Sequence, residues 1–287
     1  MALYHVLTEL KGESAAQALA DALERLDPVA TEIRDHDDES GLWDVGAHFD
    51  GRPDLAGLAL LAGLHGAPDF AVTRVDDRDW VAQVRAELTP VEAGRFVVYG
   101  SHDRERIPLA KVGLEIEAAQ AFGTGHHATT QGCLIALDRL ARRGVLARSV
   151  ADIGGGTGVL AMAACKIWPA KAVAGDIDPL ATSTARENVA ANGLSGRIRC
   201  VTSAGFRHPV LAQSGPYGLI FANILAAPLK TLAPQFAAHQ APGGVAILSG
   251  LLARQAQGVL AVYAGWGYRR IDFESIGEWM TLVLRRA

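Results

Sequence analysis

Apolar and polar residues alternate along residues 4–10 (YHVLTEL), the period of a half-buried strand. A capping box, Ser14-Ala-Ala-Gln17, then predicts a helix through Leu26 with Leu19, Leu23 and Leu26 on one face. Val29–Arg34 and Leu42–Phe49 read as two further strands joined by the acidic turn 35–41. Pro53 is expected to start a helix to about Leu64, and Phe70–Val75 to form a last strand. The order β-α-β-β-α-β over residues 1–75 predicts a small α+β domain of the ferredoxin-like type, a fold that by itself names no function.

The pattern changes after residues 76–86 (DDRDWVAQVRA), a charged stretch leading into a short amphipathic helix that reads as a linker. From residue 87 to 287, strands alternate with long helices. Strands are expected at Phe96–Tyr99, Ser149–Ile153, Ala172–Gly175, Ile198–Val201, Leu219–Phe221 and Val245–Leu248. Helices are expected at Thr129–Arg142, Leu160–Ile167, Pro179–Asn192 and Leu229–His239. This alternation predicts a doubly wound α/β sheet, Rossmann-like in type. Tyr268–Phe273 and Trp279–Leu284, separated by Gly277, predict a terminal hairpin that adds an antiparallel last strand.

Composition narrows the function. With Lys+Arg 27 against Asp+Glu 31, the formal net charge is -4, so no global positive field holds nucleic acid or an anionic membrane. Cys133, Cys165 and Cys200 lie far apart with no C-x-x-C spacing, which argues against a disulfide framework or zinc knuckle and for a reducing cytoplasm. No basic region followed by an apolar core opens the chain, and no apolar run reaches the roughly 18 residues of a spanning helix, so secretion and membrane insertion are not expected. No exposed apolar repeat marks a partner surface, and a monomer is the default expectation.

Four segments carry candidate chemistry. Val150-Ala-Asp152-Ile-Gly154-Gly-Gly156-Thr-Gly158 is a strand running into a glycine-rich turn and a helix. A dinucleotide fingerprint starting at Gly154 needs a small residue at position 159, where Val159 stands. The turn therefore suits an adenosine with a charged amino-acid tail better than a pyrophosphate, unless it is simply a tight β-α turn. Asp176 ends the next strand, 24 residues after Asp152, near the offset of about 20 at which such folds place a ribose-binding carboxylate. Asp178 reads as the N-cap of a helix whose first residue is Pro179. Asn223, in Phe221-Ala-Asn223-Ile-Leu225, either begins a turn or offers a side-chain carbonyl that, with the backbone carbonyl of Ile224 or Leu225, holds an amine with its lone pair free. Residues 121–130 (AFGTGHHATT) place small and hydroxylated residues before a helix, where Thr129 and Thr130 either cap the helix or close over a cofactor. His126 and His127 are adjacent and no acidic or thiol ligand completes a set, so no metal site is expected there; the other histidines are scattered.

In that order and spacing, AFGTGHHATT, VADIGGGTG, AGDIDP and FANILAAPL, with LSGLLARQ and GEWMTLVL after them, resemble the ribosomal protein L11 methyltransferases. The resemblance covers most of residues 87–287, with AFGTGHHATT its most specific block. It implies S-adenosylmethionine as cofactor and methylation of lysine side chains, with the N-terminal amine as a further target, on large-subunit ribosomal protein L11. It places cofactor contacts on Thr130, Gly154, Asp176 and Asn223, with Asn223 shared between cofactor and substrate amine as the catalytic residue. It implies that residues 1–75 grip the protein substrate and that residues 87–287 form the methyltransferase domain. No direct nucleic-acid binding, membrane or metal is expected. A methyltransferase acting on a different protein or a small-molecule amine is the alternative. A silent S-adenosylmethionine-binding protein is disfavoured by the acceptors aimed at an amine, and a nicotinamide dehydrogenase by Val159.

Overall fold

The computed structural model describes residues 3–26, 28–36, 40–75, 90–116 and 127–287. The expected linker helix at 76–86 and residues 121–126 of the AFGTGHHATT block lie outside the described residues. The chain divides into two compact units, Met1–Glu87 and Leu88–Ala287.

In the first unit, strands β1 (Leu3–Lys11), β2 (Ala30–Asp35), β3 (Leu42–Asp50) and β4 (Ala71–Val75) form one antiparallel sheet in the order β2-β3-β1-β4. With helices α1 (Glu13–Leu23) and α2 (Leu55–His65), this is the ferredoxin-like arrangement expected from the pattern. Val6, Val45, Ala47 and Phe49 on one sheet face bury against Leu19 and Leu23 of α1 and Leu58 and Leu61 of α2. The helix starts differ from the reading of the sequence. Gly12, at φ 91, is the N-cap of α1 with no side-chain cap, so Ser14 lies inside the first turn and Gln17 donates instead to Asp21 Oδ1 at 2.9 Å. The glycine conformation turns the chain off β1 abruptly, and Glu13 then meets the positive end of the helix. The α-helical part stops at Leu23, and Glu24–Leu26 is a 3-10 turn. Helix α2 begins after Asp54, not at Pro53, because the Asp54 carboxylate accepts from Ala56 N.

The second unit holds β5 (Val91–Ala93), β6 (Phe96–Tyr99), β7 (Val112–Glu115), β8 (Ser149–Ile153), β9 (Lys171–Asp176), β10 (Ile198–Thr202), β11 (Tyr217–Asn223), β12 (Gln240–Leu252), β13 (Tyr268–Ile276) and β14 (Trp279–Arg286). Its helices are α3 (His127–Arg142), α4 (Val159–Ile167), α5 (Pro179–Ala191), α6 (Pro209–Gln213), α7 (Ala226–His239) and α8 (Ala256–Ala264). A seven-stranded sheet runs β10-β9-β8-β11-β12-β14-β13, parallel through β12, with β14 antiparallel to both its neighbours as the expected terminal hairpin requires. Phe96–Tyr99 does not join this sheet. The turn at Gly94, φ 59, folds β5 back on β6, and β7 completes a separate three-stranded sheet. Pairing with so near a neighbour closes a much shorter loop than reaching the main sheet.

The central strands are buried on both faces, and their alternate residues feed two cores. Leu219 and Phe221 pack with Leu134, Leu137, Leu160 and Met162 on one side, while Ile220 and Ala222 pack with Leu229, Phe236, Val259 and Tyr263 on the other. Strand order reverses between β8 and β11, which are direct neighbours. In open α/β sheets the crevice beyond the strand ends opens at such a reversal.

Asp178 caps α5 as expected, accepting from Leu180 N at 2.8 Å, with Pro179 in the first turn. Asp178→Ala is expected to destabilise the chain by about 1 kcal/mol, measured by urea denaturation.

Candidate functional site

The turn after β8 needs glycine for two reasons. Gly154, Gly156 and Gly158 take φ values of 71, 50 and 78, which other residues adopt only at a cost. A Cβ at Gly154 would also overlap Ile224 Cγ2 from the neighbouring strand end. The turn is stitched to β9: Gly154 N and Gly155 N donate to Gly175 O at 2.8 and 3.1 Å, and Gly156 N donates to Asp176 Oδ2 at 2.9 Å. Asp178 N donates to Asp176 Oδ1 at 3.0 Å. The Asp176 carboxylate is thus aimed by one backbone donor on each oxygen. A carboxylate has about four acceptor sites, so capacity for two hydroxyl donors remains.

On the other side of the reversal, Asn223 ends β11. Its amide nitrogen donates to Thr130 Oγ1 at 3.2 Å, which turns the amide so that its oxygen is the end without a partner among the described residues. The two candidate backbone carbonyls then separate. Leu225 O accepts from Leu229 N at 3.2 Å, whereas the residue four positions after Ile224 is Pro228, which has no N–H to give. Among the described residues Ile224 O accepts no backbone hydrogen bond, so of the pair considered from sequence it is the available acceptor.

Residues not singled out from the sequence hold these groups. Ile224 N donates to Ser249 O at 3.2 Å. Ser249 Oγ, fully buried, donates to Thr129 O at 3.2 Å and shares a hydrogen bond of 2.8 Å with Thr281 Oγ1. Gly250, at φ 80, lies against Ile224: a Cβ there would meet Ile224 O at 2.5 Å and its carbonyl carbon at 2.7 Å. Ser249 and Gly250 belong to LSGLLARQ and Thr281 to GEWMTLVL, so the motifs were visible although the contacts were not.

A cavity of about 890 Å³ joins the parts, inside the range of about 300–1,000 Å³ typical of small-molecule sites. Gly154, Asp176 and Asn223 all line it. Thr130 does not; it acts on the cavity through Asn223, while its neighbour Thr129 lies on the wall. Ile177 and Leu225 line the cavity with exposed side chains, giving apolar surface for a planar ring or a methylene chain. Beneath the glycine turn, Asp152 is buried, accepts from Ala161 N at 3.0 Å through Oδ2, and has no partner for Oδ1 among the described residues. Burial pushes its carboxyl up to about 7, opposed by the Ala161 N–H and reinforced by the Asp176 charge.

The family model described as Ribosomal protein L11 methyltransferase (PrmA) matches residues 3–287. This chain belongs to that family. The ribosomal protein L11 methyltransferase of Rhodopseudomonas palustris (strain BisB5) is 44% identical over 279 residues, covering 96% of this chain and 94% of that one. The ribosomal protein L11 methyltransferase of Bradyrhizobium diazoefficiens is 46% identical over 250 residues, covering 86% and 84%. Among solved structures, the ribosomal protein L11 methylase of Lactobacillus delbrueckii subsp. bulgaricus is similar with a TM-score of 0.58 and 26% identity, over 70% of this chain and 99% of that one. The resemblance read from the motifs of this L11 methyltransferase family member is thereby confirmed, and with it the Rossmann-like fold.

Asp152 makes stability depend on pH. Its carboxyl is raised in the folded chain above the unfolded value of about 3.9, so the folded state holds the extra proton and stability falls as pH rises through about 4 to 7. Asp152→Asn, which cannot ionise, is expected to gain stability relative to the parent chain between about pH 5 and pH 8, measured by urea denaturation at both.

Proposed function

We propose that this chain transfers the methyl group of S-adenosylmethionine to amines of ribosomal protein L11, with Asn223 Oδ1 and Ile224 O holding the acceptor nitrogen. The residues fit the cofactor. Asp176, braced by two backbone N–H groups, takes ribose hydroxyls, exposed Ile177 offers apolar surface to a base, and the Gly154 turn lets backbone approach where a side chain would collide with Ile224. When bound, the sulfonium supplies an already activated methyl group, so positioning rather than strong acid or base catalysis is what the protein contributes.

The observation that carries the reading is the pair of acceptors, Asn223 Oδ1 and Ile224 O, that have no hydrogen-bond partner among the described residues. An amine that donates to Asn223 Oδ1 and Ile224 O keeps its lone pair free for in-line attack, and two neutral acceptors do not hold its proton. A lysine amine starts at a pKa of about 10.4, and a water-poor wall of Ile153, Ile224, Leu225 and Pro228 favours its neutral form. The Asn223 amide nitrogen is taken up by Thr130 Oγ1, which leaves Oδ1 for the acceptor nitrogen, and Ser249 of β12 ties the two segments together, its hydroxyl donating to Thr129 O and its carbonyl accepting from Ile224 N. The reading assigns substrate capture to the N-terminal unit, residues 1–75, with 76–86 as its connection to the catalytic unit. In support, that unit has its own core, and the described residues that line the cavity all belong to the other unit. Lysine side chains and the N-terminal amine of L11 are the proposed acceptors, and a monomer in the cytoplasm the proposed state.

Incubation of purified L11 with the chain and S-adenosylmethionine is expected to add mass in steps of one methyl group on lysines or the N-terminus. An unchanged mass alongside calorimetric cofactor binding redirects the search to another acceptor. Asn223→Ala is expected to remove methyl transfer while most cofactor affinity survives; full activity in that variant overturns its role. Gly250→Ala, whose Cβ displaces the Ile224 carbonyl, is expected to lower kcat about a hundredfold, read by the same mass steps over time.

A further inference from the structure

The face of the N-terminal sheet turned away from α1 and α2 carries side chains to which the proposed methyl-transfer chemistry assigns no role. His5 on β1 and His48 on β3 are cross-strand partners, their rings stacked at 4.6 Å with 24° between planes. Glu32 on β2 pairs in register with Gly46 of β3, and its carboxylate passes over that glycine to reach His5, Oε1 lying 2.7 Å from Nε2. Gly46 makes the crossing possible: a Cβ there would meet Glu32 Oε1 at 2.9 Å and Cγ at 3.1 Å. As a result, one donor atom from each of His5, Glu32 and His48 lies within 4.8 Å of the other two.

We propose that His5, Glu32 and His48 bind a divalent transition-metal ion of the zinc type. Two imidazoles and one carboxylate are a nitrogen-rich set that suits zinc, with a fourth position left to water or to a ligand from outside; calcium and magnesium take oxygen sets instead. Bonds of about 2.0–2.1 Å place tetrahedral ligand atoms about 3.3 Å apart, a closure that side-chain rotation achieves while three paired strands hold the backbone. Glu32 then exchanges its hydrogen bond with His5 for the ion. Four residues along the same strands, Glu9, His36 and Asp44 form a second cluster, His36 Nε2 lying 2.7 Å from Asp44 Oδ1. With one imidazole and two carboxylates it is the poorer match for zinc and serves as an internal control. Cys133, Cys165 and Cys200 are buried and do not compete.

The test is calorimetric titration of ZnCl2 into the full-length chain, free of any affinity tag and stripped with a chelator. One tight equivalent is expected, weakened at least about tenfold in His48→Ala and in Glu32→Gln and retained in His36→Ala. Gly46→Ala, which leaves every ligand in place but blocks the path of Glu32, is expected to weaken it as well. Circular dichroism establishes that each variant is folded, and Co2+ in place of Zn2+ is expected to show the visible bands of a four-coordinate ion. Absence of binding, binding unchanged in both ligand variants, or loss confined to His36→Ala overturns the proposal.

Discussion

The close approach of two chain segments where strand order reverses between β8 and β11 is the constraint on which the site depends. Parallel neighbours deliver their C-terminal ends side by side, so the turns leaving β8 and β11 must share one crevice. Here Gly154 and Ile224 meet with no space for a Cβ, and Gly250 presses on the same Ile224 from β12. Three strand ends are thereby locked around one residue. Interiors packed this tightly transmit small volume changes rather than absorbing them.

Around that lock the structure manages its polar groups in a consistent way. The acceptors are aimed by backbone groups and hydroxyls: Gly156 and Asp178 N–H groups donate to Asp176, the Thr130 hydroxyl accepts from the Asn223 amide nitrogen, and the buried Ser249 hydroxyl, bonded to Thr281, donates to Thr129 O at the start of α3. Hydroxyls and amides do this at small desolvation cost compared with charges. Asp152 is the exception. Its half-satisfied carboxyl sits beneath the glycine turn, where the Ala161 N–H fastens it to the first turn of α4. The site thus combines a rigid floor, two carbonyl acceptors without a partner among the described residues, and an apolar rim.

The N-terminal unit is built on a different division of labour. One sheet face builds the core with α1 and α2, while the opposite face collects histidine–carboxylate pairs across strands. Such pairs stand in register because antiparallel ladders bring residues far apart in the chain within side-chain reach. Glu32 reaching His5 across Gly46 is one instance, and its existence depends on a missing side chain in the strand between them.

The sequence alone determined the features governed by local chemistry. Period-two and helical patterning placed most strands and helices within a few residues. Proline and aspartate set the start of α5, and the glycine spacing with Val159 separated this turn from a dinucleotide fingerprint. Even so, glycine at position 12 and aspartate at 54 displaced two expected helix starts, because a cap is decided by the backbone conformation before the helix and not by residue type alone. The order of the motifs carried the family. The local start of α7 decided which carbonyl stays open beside Asn223, since Leu229 N reaches Leu225 O one turn back while Pro228 offers nothing to Ile224; what lies across from these groups was left to tertiary structure. It alone joined Ser249 to Thr129, 120 residues apart, and brought His5, Glu32 and His48 together. The reason is physical: local rules act over one turn or one pleat, whereas a site is assembled by strand register and sheet order, which bring together residues that have no relation along the chain.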